Sequence, residues 1–156
     1  MALNRRKGKG RADKGTFTLI PHSVMDSEDF RALSGGALKV LFCLMRQYRG
    51  GNNGDLSAPF SKVKEWGLNS RTTLAKALRE LQDRSLIVCT REGRFIKPGG
   101  CCALYALTWH AIDECNGKLE VSATATPPRK FSLERAKNPV QKVDSLRPES
   151  GRMEAA

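Results

Sequence analysis

With 156 residues the chain suits one modest domain with tails, and its hydrophobic content of 40% leaves part of it without a core to join. A formal charge of +11 and a pI near 9.8 favour an anionic partner, nucleic acid first and an acidic membrane surface second. No apolar run approaches the roughly 18–20 residues of a membrane-crossing helix, and the basic N-terminus lacks the apolar stretch of a secretory signal. A cytoplasmic compartment is expected, and five cysteines in no paired spacing suggest reduced thiols rather than a disulfide framework.

The positive charge is uneven. Residues 1–16 hold six Lys/Arg against Asp13 alone, and residues 60–97 hold nine bases against four acids. The first stretch, Gly-rich and with almost nothing to bury, reads as a disordered basic arm in which Arg5, Arg6 and Lys7 are densest. Such arms elsewhere contact the minor groove or phosphates.

Folded structure is expected from Phe17. FTLIP is a short extended segment, and Pro21 restrains Ile20 from helix. Ser27 caps a short helix with Glu28 and Asp29 in its first turn and Phe30 and Leu33 facing inward. A second helix runs from Ser34 to about Tyr48, with Ala37, Leu38, Leu41, Leu44, Met45 and Tyr48 as its apolar stripe and Gly50-Gly51 at its end. Lys39, Arg46 and Arg49 decorate its solvent side. The turn-rich link that follows has room for one very short strand at 56–58.

A compact helix is predicted over 61–66, with Phe60, Val63 and Trp66 three apart, then a turn at Gly67 with Leu68 as its plug. The helix of greatest interest follows at 69–84. Leu74, Ala77, Leu78 and Leu81 make its apolar face, Ser70 suits its N-cap, and Arg71, Thr72, Lys76 and Arg79 make a polar, cationic outer face. Two helices joined by a Gly-containing turn form a helix-turn-helix pattern. Residues 86–91 are β-branched and read as a strand; 92–100 form a basic, Gly-rich loop; and 101–109 alternate as a second strand. Helices, strand, basic loop and strand in that order make an α+β winged helix-turn-helix over residues 17–116: three to four helices and a small antiparallel sheet. The loop is the wing, with Arg91, Arg94 and Lys97 as candidate phosphate contacts.

From Gly117 the periodicity is lost, and residues 117–156 read as a disordered tail rich in Pro, Ser, Thr and charge. Phe131 and Leu133 are its candidates for a short motif that engages a protein partner.

The stretch SRTTLAKALRELQDRSLIV, residues 70–88, resembles the recognition helix and first wing strand of GntR-type regulators, closely over Ser70, Arg71, Thr72, Thr73, Ala77, Leu78 and Leu81. The resemblance implies operator contacts from Ser70, Arg71 and Thr72. The turn here is one residue longer than the usual one, and the roughly forty residues after Gly117 are too few for that family's ligand-binding domain. Over most of residues 20–90 the layout is also similar to the N-terminal winged-helix domain of phage replication-organiser proteins of the O type. That resemblance implies binding to repeated origin sites.

Catalysis is not expected. His22 and His110 are the two histidines, nothing positions a nucleophile beside them, and no phosphate-cradling Gly loop is present. No cofactor is implied. Cys89, Cys101, Cys102, His110 and Cys115 lack metal-ligand spacing, and adjacent Cys101 and Cys102 point to opposite faces of a strand, so no metal site is expected. Trp66 and Trp109 fit the core or its edge. The expectation is therefore sequence-specific binding to double-stranded DNA, with Asn69, Ser70, Arg71, Thr72 and Thr73 at the leading edge and Lys76, Arg79 and the wing bases on the backbone. A transcriptional regulator of a phage or mobile element is the leading role, with an origin-binding replication initiator and a winged-helix protein-interaction module as alternatives. A homodimer on a palindrome, or several copies on repeats, is expected because one module buries only ~600–1,000 Å² of its surface on DNA.

Overall fold

Three serines set where helices begin. In the computed structural model, which describes residues 15–95 and 99–134, Ser27 Oγ accepts from the Phe30 N–H at 3.2 Å, Ser34 Oγ from Ala37 N–H at 3.2 Å and Ser70 Oγ from Thr73 N–H at 3.4 Å. Each bond satisfies a first-turn donor that no helical carbonyl can reach. Among the described residues there are five α-helices, α1 (His22–Met25), α2 (Glu28–Arg31), α3 (Gly35–Met45), α4 (Phe60–Lys64) and α5 (Arg71–Asp83), and two strands, β1 (Ile87–Arg91) and β2 (Leu104–Leu107). This is an α+β arrangement with a small two-stranded antiparallel sheet, compatible with a winged helix. No helix among the described residues is long and apolar enough to cross a membrane.

Helix α1 is an addition to the sequence expectation. Pro21 keeps Ile20 extended but ends nothing after it: at φ −62° and ψ 142° it stands as N-cap, its carbonyl accepting from Val24 and Met25. Helix α3 is shorter than expected, stopping at Met45 instead of Tyr48. The N–H groups of Gln47 and Tyr48 turn to Leu44 and Met45 three residues back, which tightens the last turn. Asn52 then holds the link by donating to Gln47 O and accepting from Arg49 N–H.

The core lies between α3, α4, α5 and the sheet. Leu41 and Leu44 of α3, Val63 of α4, Leu81 of α5, Leu86 and Leu107 are all 0–1% exposed. Each such side chain contributes about 1.5–3 kcal/mol by leaving water. A polar contact fixes the α3–α5 pairing: Glu80 accepts from Ser34 N–H at 2.8 Å and from Ser34 Oγ–H at 2.6 Å. That Ser34 hydroxyl bond holds the Glu80 carboxyl below its ordinary value, with partial burial opposing. Helix α5 ends where Ser85 turns left-handed at φ 52°; Ser85 N–H returns to Gln82 O and Leu86 N–H to Leu81 O.

Strands β1 and β2 pair antiparallel with Ile87 opposite Leu107, Val88 opposite Ala106 and Cys89 opposite Tyr105. The register slips between Cys89 and Arg91, and a bridge between Arg94 and Cys101 closes the hairpin further out. The short strand expected at 56–58 is one bridge, Leu56 with Tyr105.

The segment expected to leave the fold at Gly117 stays on it as far as Glu134. Glu120 N–H bonds Thr90 O, Arg129 N–H bonds Thr108 O, and Phe131 is 5% exposed against Trp109. All four residues of β2 are buried in place of the alternation its sequence predicts. Arg129 is the main clamp: its guanidinium bonds Asp29 Oδ2 at 2.8 Å, Arg84 O at 2.8 Å and both Glu134 oxygens, and lies 4.1 Å from the Phe131 ring centroid. Phe131, expected as a protein-binding candidate of a free tail, is thus a core residue, whereas Leu133 remains 75% exposed.

Candidate nucleic-acid interface

The outer face of α5 follows from its inner one. Because Leu74, Ala77 and Leu81 are buried against α3 and the sheet, residues three and four apart on the opposite side, Thr72, Ala75, Lys76 and Arg79, form one exposed stripe. Asn69 and Ser70 are exposed just before it, and Arg71 at its start. The Ser70 hydroxyl is already engaged as the N-cap. Thr73 lies on the flank toward α3, where its methyl is 3.6 Å from the position of a Cβ added to Gly36.

Two local features place the leading edge. Gly67 adopts φ +82° in the turn between α4 and α5, a conformation that favours glycine, and a Cβ there would also press on the end of the Lys39 side chain, Nζ at 3.1 Å. The Arg71 guanidinium lies 5.5 Å from the Phe60 ring centroid, a cation–π contact that joins the first turn of α5 to the first turn of α4. Phe60 is half-buried, packed partly on the core and partly under this guanidinium.

Electrostatically, the N-terminal part of the stripe is cationic. Arg71, Lys76 and Arg79 make no ion pair among the described residues. Glu80, the carboxylate nearest in sequence, is turned to Ser34 and lies 3.9 Å from Arg84 Nε. Lys76 and Arg79 themselves border a mixed surface, a depression that they share with Asp29, Glu80, Asp83 and Arg84.

The wing bases are differently placed. Arg94 Nη2 is 2.6 Å from Glu120 Oε1, and the other oxygen of Glu120 accepts from Glu92 N–H at 3.1 Å. Arg91 is half-buried, with Nη2 donating to Cys102 O at 2.9 Å and Nε buried without a partner. Neither guanidinium stands free in the manner of Arg71. Glu120 had no signal in the sequence, since it lies 26 residues from Arg94 in a stretch without periodicity. Phe95, beyond the Arg94 bridge, is fully exposed. Lys97, Arg5, Arg6 and Lys7 lie outside the described residues.

Trp109 is buried, whereas Trp66, expected at the core or its edge, is exposed at 37% and is not packed on the core. All five cysteines are free thiols, and among the described residues no three His, Cys, Asp or Glu side chains gather as a metal-ligand group would. Comparison of the chain with protein-family models, with curated proteins and with solved structures returned no match.

Proposed function

We propose that this chain is a winged helix-turn-helix protein that binds double-stranded DNA with sequence preference, acting as a transcriptional regulator of a phage or other mobile element. The observation that carries the reading is the outer stripe of α5: Arg71, Lys76 and Arg79 are exposed and form no ion pair among the described residues, although Asp29, Glu80 and Asp83 line a depression beside Lys76 and Arg79. An α-helix fits the major groove, and its first turns meet the base edges. Arg71, steadied over Phe60, is suited to bidentate bonding with guanine, while Asn69 and Thr72 reach a base edge or a phosphate. Lys76 and Arg79 set register on the backbone. Arg94 joins them only by sharing or leaving its pair with Glu120.

An origin-binding initiator would use the same face, and the O-type layout of residues 20–90 favours it as the second reading. Fluorescence anisotropy on a labelled duplex across a salt series tests the shared claim. Log affinity falls with log salt at about −0.9 per neutralised phosphate, so the Lys76→Ala/Arg79→Ala double variant loses roughly two units of slope. A slope unchanged by that pair removes α5 from the interface.

A further inference from the structure

We propose that the groove between residues 15–19 and the end of α3 binds a small organic anion with an apolar or aromatic body. The groove encloses about 860 Å³, within the ~300–1,000 Å³ of small-molecule sites. One wall is Phe17 and Leu19, 81% and 69% exposed. The core residues Met45 and Leu107 also line the groove. The back is flat: Tyr48 stacks on His110 with ring centroids 4.5 Å apart and 24° between planes. That back is braced from behind, because the buried Asn53 amide donates to His110 O and Ala111 O.

Charge selects the ligand. Arg46 and Arg49 line the groove, both exposed, and their guanidinium groups have no ion pair or hydrogen bond among the described residues. Among the described residues no carboxylate lines it. The acid whose field reaches Tyr48 and His110 is Asp113, and its Oδ2 already accepts from Asn53 N–H at 2.7 Å. Burial lowers the His110 pKa, so the ring stays neutral at pH 7 and the two arginines supply the positive charge. A DNA duplex presents a polar backbone and would leave Phe17 and Leu19 without an apolar partner. The site shares no residue with the outer face of α5, so it stands or falls separately from DNA binding.

Two dyes with matched rings test this: 8-anilinonaphthalene-1-sulfonate, and N-phenyl-1-naphthylamine, which lacks the sulfonate. The full chain is titrated with each by fluorescence, with near-UV circular dichroism as the check on packing, since the sulfonate dye also reports molten states. The expected result is one saturable site for the anionic dye. The Arg46→Ala/Arg49→Ala variant, which changes two exposed residues, weakens that dye about tenfold or more and leaves the neutral dye unchanged. The Phe17→Ser/Leu19→Ser variant weakens both. Non-saturating binding, an equal effect of the arginine pair on both dyes, or displacement of the anionic dye by random-sequence duplex DNA would each overturn the assignment.

Discussion

Asn53 is the polar keystone of the fold, and its removal yields a stability loss that can be worked from the structure. The residue is 0% exposed. Its Nδ2 donates to Leu107 O at 2.9 Å, His110 O at 3.1 Å and Ala111 O at 2.9 Å, and its Oδ1 accepts from Leu107 N–H at 2.8 Å. Two amide hydrogens serve three carbonyls, so one is shared, and the set amounts to three full bonds. At ~0.5–1.5 kcal/mol for each net bond the loss spans roughly 1.5–4.5 kcal/mol. The backbone groups left unpaired in a buried turn place Asn53→Ala in the upper half, about 3–4 kcal/mol. With a urea slope near ~2 kcal/mol/M for a domain of this size, the midpoint falls by about 1.5–2 M. Urea titration followed by far-UV circular dichroism and tryptophan fluorescence reads it directly. A loss below about 1 kcal/mol would refute the reasoning, because it would mean that these carbonyls find water or other donors without Asn53.

Other consequences follow from the tail and the wing. A chain ending at residue 116 lacks Phe131 and the Arg129 clamp, exposes Trp109, and unfolds several kcal/mol more easily than one ending at residue 134; thermal melts of the two fragments compare them. Glu80→Gln flattens the acid limb of stability. Its folded pKa lies below the ordinary 4.5, so its contribution is present above that value and is lost as pH falls through the lower folded one. Denaturant midpoints measured from pH 6 down to pH 3 check the sign, and a variant whose limb parallels the wild type contradicts it. Glu120→Gln frees Arg94, and on the DNA reading it raises affinity for any duplex and steepens the salt slope by about one unit. Anisotropy titrations unchanged by Glu120→Gln would take Arg94 off the backbone.

What could be read in advance was local. Ser27, Ser34 and Ser70 act on N–H groups three residues away, so their helix starts are visible in a short window. The stripe of α5 repeats with the helical period, and the hairpin follows from a β-branched run and a Gly-rich loop. What could not be read was long-range. Arg129 holds residues 117–134 in place through Asp29, 100 positions earlier, and through the last carbonyl of α5. A Pro- and Thr-rich segment tied down in that way has no periodicity to detect. The pairing of Arg94 was illegible for the same reason, since it looks like a free base until Glu120 is folded against it. Helix α3 ended early because its last N–H groups, on Gln47 and Tyr48, turn to carbonyls three residues back and Asn52 takes the Gln47 carbonyl, and the two glycines mark only where the chain turns afterwards.

The central claim is that α5 reads duplex sequence from its leading edge, and selection of bound fragments from random-sequence duplex DNA tests it most directly. The account predicts that the wild-type chain enriches a defined motif. Arg71→Ala should lose one guanine preference within that motif and about 1–3 kcal/mol of specific affinity, while binding to unselected DNA persists. No enriched motif, or an Arg71→Ala protein that returns the same motif at the same affinity, would contradict it.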